Sequence, residues 1–131
     1  MLAVGESGGG RRCENRRVGL VFRGMRGEAL KGHLDGMLLA ALAAGPAHGY
    51  LVIESLREAS GGDFDLPEGT VYPALHRLEQ AGLIRSRWAR VSGRRRRIYA
   101  LTAKGRRELD ERRGEWRRFA GAMEAVLEVG R

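Results

Sequence analysis

The stretch that decides the fold is Gly69–Thr102, which reads GTVYPALHRLEQAGLIRSRWARVSGRRRRIYALT. Its first half repeats apolar residues at the spacing of a helix: Val71, Leu75 and Leu78. Gly82 followed by Leu83 is typical of a Schellman ending, in which glycine takes the left-handed conformation and the next apolar residue folds back. The pattern therefore predicts a helix between residues 67 and 81.

Pro73 constrains where this helix begins. Proline has no N–H and clashes with the carbonyl four residues earlier, so it is tolerated in the first turn and costs about 3 kcal/mol deeper in a helix. A helix capped by Thr70 places Pro73 at the third helical position, where no intrahelical donor is required. The alternative is a helix that begins earlier, with irregular hydrogen bonding around Pro73.

After Gly82 the apolar period changes to two, which predicts strands at 83–91 and 96–101. Ser92 and Gly93 join the strands, together with the neighbouring arginines. The second half of the stretch is therefore predicted to be a hairpin with a basic tip.

Two shorter helices are predicted before this stretch. The first, at about 34–44, has an apolar stripe at helical spacing: Leu34, Met37, Leu38, Ala41 and Leu42. Gly45-Pro46 ends it, because a C-terminal glycine is followed by a residue that cannot continue a helix. The second runs from residue 48 or 49 to residue 59, with three residues on one face: Tyr50, Ile53 and Leu56.

A long final helix is predicted from its cap, Thr102, to about Val129. Large apolar residues recur along it every seven residues at Leu109, Trp116 and Met123. Phe119 or Ala120, and Val126 or Leu127, fill the intermediate positions. This spacing is typical of a coiled-coil seam, although arginines at 112 and 113 interrupt it. The predicted fold class is mainly α with a small antiparallel β-hairpin.

The net charge of +8 is unevenly distributed along the 131 residues. Residues 1–35 hold 7 basic and 4 acidic residues, 36–84 hold 2 and 6, and 85–131 hold 15 and 6. A local basic excess favours a polyanionic partner, nucleic acid first and an acidic membrane surface second.

The ends of the chain and its cysteine content indicate the compartment. Residues 1–30 contain glycines and arginines without a sustained period, which predicts a flexible basic tail, and Met25 is a candidate translation start. Cys13 is the only cysteine, which favours a reducing compartment. No stretch approaches the roughly 20 apolar residues of a membrane span, and no signal-peptide core is present. We expect a cytoplasmic protein.

Enzyme and metal signatures are weak. Gly5–Gly9 matches G-x-S-x-G, but a nucleophile elbow needs a preceding strand and a following helix, and this position is too close to the start. His33, His48 and His76 lack the spacing of zinc ligands, and surface or capping roles fit them better. We therefore predict no catalytic site, no metal and no cofactor.

The nucleic-acid signal has two parts. The outward face of the helix at 67–81 can hydrogen-bond to phosphates or base edges, although a solvated face explains it equally well: Thr70, Tyr72, His76, Arg77, Glu79 and Gln80. The hairpin turn favours nucleic-acid binding over a solvated face. It carries the run Arg94–Arg97, with Arg90 before it and Tyr99 after it. Such dense like charges repel one another, and a polyanion relieves that repulsion and releases counterions. A solvated charge run is the alternative.

Several segments closely resemble the PadR family of bacterial transcriptional regulators. They are His48-Gly49-Tyr50, 69–79 (GTVYPALHRLE), Gly82-Leu83-Ile84, and 93–102 (GRRRRIYALT) followed by Gly105. The likeness extends from about Leu30 to Leu127, and the ordered combination is specific although each piece alone is not.

The resemblance implies a winged helix-turn-helix at 31–101 and a C-terminal dimerisation helix at 102–131. A short dimerisation helix of this kind is typical of one PadR subfamily, the small subfamily. The third helix would enter the major groove and the hairpin would be a wing on the flanking backbone or minor groove. The DNA-binding residues implied are Thr70, Tyr72 and Pro73 near phosphates, His76 and Arg77 nearer the groove, and Arg94, Arg95, Arg96, Arg97 and Tyr99 in the wing.

The resemblance also implies a dimer interface on the last helix, at Trp116, Phe119 and Met123. Some similar proteins bind flat aromatic compounds at this interface, so a small aromatic ligand is a candidate partner. A core or dimer anchor is the other interpretation of Trp116, and we favour it.

The sequence thus predicts a PadR-like repressor of the bacterial cytoplasm, associated with the nucleoid, that binds double-stranded DNA as a homodimer. The alternative is a protein-binding winged-helix adaptor without sequence-specific DNA binding. An adaptor would explain the acidic region 36–84 but not the arginine-rich turn.

Overall fold

A computed structural model describes residues 27–129. Their helices and strands are α1 (Gly27–Ala43), β1 (Ala47–His48), α2 (Gly49–Ala59), α3 (Glu68–Gln80), β2 (Ile84–Val91), β3 (Arg94–Leu101) and α4 (Ala103–Val129). The predicted fold class is confirmed: a mainly helical chain with a small antiparallel sheet and a long C-terminal helix. Within these residues every helix is too short or too polar to span a membrane. Most of the predicted tail, with Met25, lies outside them.

The first helix is longer than the apolar stripe predicts. It begins at Gly27 rather than Leu34, so residues 27–30 of the predicted tail are helical. The apolar stripe did not predict this start, although Glu28, Ala29 and Leu30 favour a helix by propensity.

The core forms where the first three helices pack on the sheet. Its largest fully buried side chains come from each of these elements: Leu38, Leu39, Leu42, Val52, Val71, Leu75 and Ile84. The inward stripes predicted for α1 and α3 are confirmed. On α2 the prediction was wrong at Tyr50, which is half exposed, while Val52 is buried in the core.

The α3 helix begins earlier than the Thr70 cap predicts. Pro67 is its N-cap, so Thr70 is the third helical residue and Pro73 the sixth. Pro73 cannot donate to the Gly69 carbonyl, but both residues are exposed, so water can solvate that carbonyl. This is the predicted alternative, a helix that begins earlier with a gap in its hydrogen bonding.

The Schellman ending of α3 is present as predicted. Gly82 has a φ of +81°, its N–H donates to the Glu79 carbonyl at 3.0 Å, and the Leu83 N–H donates to the Leu78 carbonyl at 3.0 Å. The chain therefore turns directly from α3 into the first strand of the hairpin.

The sheet has three strands in the order β1-β3-β2, all antiparallel. Ser92 and Gly93 have φ values of +52° and +80°, as a two-residue type I′ hairpin turn requires. This tight turn lets β3 begin at Arg94, two residues earlier than predicted. The strand β1 was missed, because two residues are too few to show a period.

The start of α4 is held against the loop that follows α3. Thr102 caps the helix as predicted, since its Oγ1 accepts from the Gly105 N–H at 3.0 Å, and the same hydroxyl donates to the Gly82 carbonyl at 2.7 Å. A Cβ at Gly105 would lie only 1.9 Å from the Leu83 carbonyl oxygen. Glycine at 105 therefore allows the close approach that anchors the long helix.

We expect Gly105→Ala to lower the free energy of unfolding by about 1–3 kcal/mol, because the methyl group forces α4 away from Leu83. Denaturant unfolding measures this. Gly121→Ala in the same helix is the matched control, since nothing lies within 4 Å of its Cβ position, and it should be neutral or slightly stabilising. Equal stability of the two variants would contradict the close approach.

The cap of α2 is predicted to make stability depend on pH. His48 Nδ1 accepts from the Leu51 N–H at 3.2 Å, which requires that nitrogen to be unprotonated. Partial burial, and secondarily the Arg96 charge, lower the pKa of His48 from its ordinary value of 6.5.

Because the folded pKa is lowered, the unfolded chain binds the proton more readily. The stabilising contribution of His48 is therefore present above pH 6.5 and lost as pH falls through the folded pKa. Unfolding curves recorded from pH 8 to 5 should show this loss. His48→Asn, which can cap without titrating, should flatten the profile. An unchanged profile in that variant would contradict the assignment.

Candidate nucleic-acid interface

The hairpin of β2 and β3 is joined to α3 by polar contacts at its base. Ser86 Oγ donates to Glu79 Oε2 at 2.6 Å, and Arg97 Nε donates to Ser86 Oγ at 2.8 Å. The Arg97 Nη2 atom also lies 3.9 Å from Glu79 Oε2. The arginine-rich hairpin is thus positioned beside α3, as two elements that contact one duplex must be.

Strand pairing divides the arginine run between two faces of the hairpin. Trp88 pairs with Arg97 and Arg90 pairs with Arg95, and cross-strand partners point to the same face. Ser86, which bonds to α3, shares that face by alternation along β2. Arg95 and Arg97 therefore lie on the side of α3, and two arginines lie on the opposite face: Arg94 and Arg96.

Trp88 is the residue of this site that sequence reasoning missed. Its side chain is 51% exposed although it is one of the largest in the chain. The guanidinium carbons of Arg95 and Arg97 lie 4.6 and 5.2 Å from the centre of its ring. A strand register counted outward from the turn at 92–93 would have placed Trp88 opposite Arg97.

The outward face of α3 is lined by small or uncharged side chains. Opposite the buried residues run four exposed positions spaced by four, three and four: Gly69, Pro73, His76 and Gln80. Thr70 is half-buried beside them, and nothing lies within 4 Å of a Cβ at Gly69. Another molecule can therefore approach the α3 backbone closely at its N-terminal half.

Tyr72 is both exposed and structural. A Cβ at Gly49 would lie 2.5 Å from the Tyr72 ring, so the ring packs directly on the first residue of α2. This contact explains the glycine in His48-Gly49-Tyr50, and it holds α2 and α3 together next to the candidate surface.

The position of Arg77 differs from the expected one. Its Nη2 atom lies 2.8 Å from Asp35 Oδ1 on α1, in an ion pair between residues 42 positions apart. The guanidinium is thus directed to α1 and partly neutralised there. Sequence spacing could not show this partner, because helix packing alone brings Asp35 near.

Tyr99 was also expected at the surface, and that prediction was wrong. Its side chain is 7% exposed and belongs to the core cluster. Burial raises the pKa of its phenol, with the Arg97 charge opposing the shift. The base of β3 packs on the helices, so only the arginines nearer the turn are exposed.

The second half of α4 exposes the predicted apolar residues. Trp116, Phe119 and Met123 are 51%, 56% and 41% exposed, and Val126 and Leu127 continue the face. Trp116 makes an edge contact with His33 of α1, with ring centres 5.2 Å apart. A groove of about 730 Å³ lies between α1 and α4 at this point, lined also by Met37, Phe64 and Arg112.

Comparison with known proteins agrees with this geometry. The model of the transcriptional regulator PadR-like family matches residues 38–111, more than half of the chain. A PadR family transcription regulator from Clostridium difficile R20291 is 35% identical, with a TM-score of 0.67 over 73% of this chain and 99% of that one. A PadR family regulator from Eggerthella lenta is 28% identical, with a TM-score of 0.68 over 87% and 98%.

A curated relative is described as a transcriptional regulator of Mycobacterium tuberculosis. It is 46% identical over 57 residues, which cover 44% of this chain and 53% of the relative. With the family match over the helices and hairpin described above, these likenesses establish the relationship. The chain belongs to the PadR-like family of transcriptional regulators.

Proposed function

We propose that this chain is a transcriptional repressor of the bacterial cytoplasm, associated with the nucleoid, that binds operator DNA as a homodimer. The observation that carries the proposal is the contact of Glu79, Ser86 and Arg97, which holds the basic hairpin beside α3. In this arrangement α3 lies in the major groove and the hairpin is a wing on the flanking backbone or minor groove.

The two elements contribute differently to binding. The outward face of α3 approaches base edges and phosphates through Thr70, Tyr72, Pro73 and His76, and its low charge adds little affinity. The wing arginines supply the affinity through phosphate contacts, each of which lowers the slope of log K against log salt by about 0.9. Arg95 and Arg97 are directed toward the side of α3, while Arg94 and Arg96 serve the other side of the wing.

The exposed apolar face of α4 supports dimerisation. Trp116, Phe119 and Met123 lie on one side of a helix whose buried residues all precede residue 110. Pairing with a second copy would remove this surface from water, at about 25 cal/mol per Å². A two-fold dimer predicts an inverted-repeat operator with half-sites about one helical turn, or a multiple of it, apart.

The groove beside Trp116 supports a second, weaker hypothesis, a small aromatic effector. Its volume of about 730 Å³ lies within the range of small-molecule sites. The interpretation of Trp116 as a dimer anchor is simpler, and we favour it. Quenching of Trp116 fluorescence by an aromatic compound that also releases DNA would reverse this preference.

A gel-shift titration against the promoter upstream of the coding sequence, with a mixed-sequence duplex as competitor, tests the proposal. Specific binding supports the repressor. Binding to neither duplex at any salt concentration would favour a protein-binding adaptor that has no sequence-specific DNA contact.

Removing the two wing arginines that face α3 should reduce the salt dependence of binding. For Arg95→Ala/Arg97→Ala we expect the slope of log K against log salt to become less negative by about 1.8, because two phosphate contacts are lost. Arg106→Ala/Arg107→Ala removes the same charge from exposed positions on α4 and serves as the control. An equal change of slope in both variants would mean that net charge, not the wing, determines the effect.

Charges on the apolar face of α4 should separate the subunits. We expect Phe119→Glu/Met123→Glu to elute as a single chain of 14.5 kDa in light scattering, because carboxylates are costly to bury. Arg118→Glu, exposed on the opposite side of α4, should leave the dimer intact. A dimer that persists in the double variant would place the interface elsewhere.

A further inference from the structure

We propose that Trp88 is a positioning residue of the wing, whose indole ring holds the Arg95 and Arg97 guanidinium groups side by side for contact with DNA phosphates. This inference rests on the DNA binding proposed above. It gives a role to a large exposed aromatic side chain that the fold does not use in its core.

The geometry brings both arginines to one ring. Trp88 pairs directly across the hairpin with Arg97, and Arg95 lies two residues nearer the turn on the same face. Their guanidinium carbons lie 5.2 and 4.6 Å from the ring centre, within the distance of a cation–π contact. Arg97 is held a second time, because its Nε donates to Ser86 Oγ.

The ring counters two costs of keeping arginines together. Like charges repel, and the negative face of the indole offsets part of that repulsion. An arginine side chain also loses rotamer freedom when it binds a phosphate. Contact with Trp88 restricts Arg95 and Arg97 before DNA arrives, so less freedom remains to be lost on binding.

The opposite face of the same hairpin provides a matched comparison. Arg94 and Arg96 lie there, and the β2 and β3 residues that share this face include no aromatic side chain. The run Arg94–Arg97 therefore contains two arginines beside an aromatic ring and two on the face without one.

The test compares Trp88→Leu and Trp88→Phe on a mixed-sequence duplex of about 30 base pairs, long enough for a dimer spanning two half-sites. Binding is measured by fluorescence anisotropy at several salt concentrations. We expect Trp88→Leu to raise Kd about 5–10-fold, because two cation–π contacts are lost, while Trp88→Phe stays within about 2-fold. The salt slope should remain that of the unaltered protein, because both guanidinium groups are still present.

A double-mutant cycle then identifies the arginines that depend on the ring. Trp88→Leu should have no further effect in an Arg95→Ala/Arg97→Ala background. It should retain its full effect in an Arg94→Ala/Arg96→Ala background. Equal effects in both backgrounds would overturn the proposal, as would equal weakening by Trp88→Leu and Trp88→Phe.

A readout without DNA separates this inference from the proposed function. In NMR spectra of the unbound protein, the Arg95 and Arg97 side-chain protons should be shifted by the ring current and lose that shift in Trp88→Leu. Melting curves verify that the variants fold. If the unaltered protein binds DNA without sequence preference, the repressor proposal is contradicted. The Trp88 variants still test the role of Trp88 in that case. An unaltered protein that binds no duplex overturns both proposals, and unchanged arginine shifts in Trp88→Leu overturn the role of Trp88 alone.

Discussion

The hydrogen bond from Ser86 to Glu79 is the contact on which the candidate interface depends. It joins the hairpin to α3 at 2.6 Å, and Arg97 donates to the same hydroxyl from the neighbouring strand. A carboxylate next to a surface proposed for DNA disfavours binding by itself, since it repels phosphates. Its position gives it another role, because it accepts from Ser86, lies 3.9 Å from Arg97, and so holds the hairpin against α3.

Charge and shape are divided between the two elements that this contact joins. The outward face of α3 carries Gly69, Pro73 and His76, so it offers close approach and few charges. The hairpin carries the arginines, on two faces set by strand alternation. In the proposed function, affinity that depends on salt and recognition that depends on base edges would therefore reside in different side chains, held together by a short polar network.

The sequence predicted the elements well and the individual contacts less well. Apolar periodicity found the four helices and the hairpin of residues 27–129, because buried stripes repeat at the period of the element that buries them. It could not find β1, which is two residues long, or the first turn of α1, which lies ahead of the apolar stripe. Tyr99 was assigned to the surface because it follows the arginine run, but the sheet buries its base against the helices.

What the sequence determined by itself is the order of the helices and the hairpin, the location of the hairpin turn around Ser92-Gly93 and the concentration of positive charge there, since these follow from local propensity and composition. Only the tertiary structure decided that Ser86 of the hairpin bonds to Glu79 of α3 and that Arg77 pairs with Asp35. The packing of separate elements brings together residues that are distant along the chain, and no local pattern records the resulting neighbours. The family relationship follows from the sequence pattern and the fold together. The geometry that would allow α3 and the wing to contact one duplex exists only after the chain has folded.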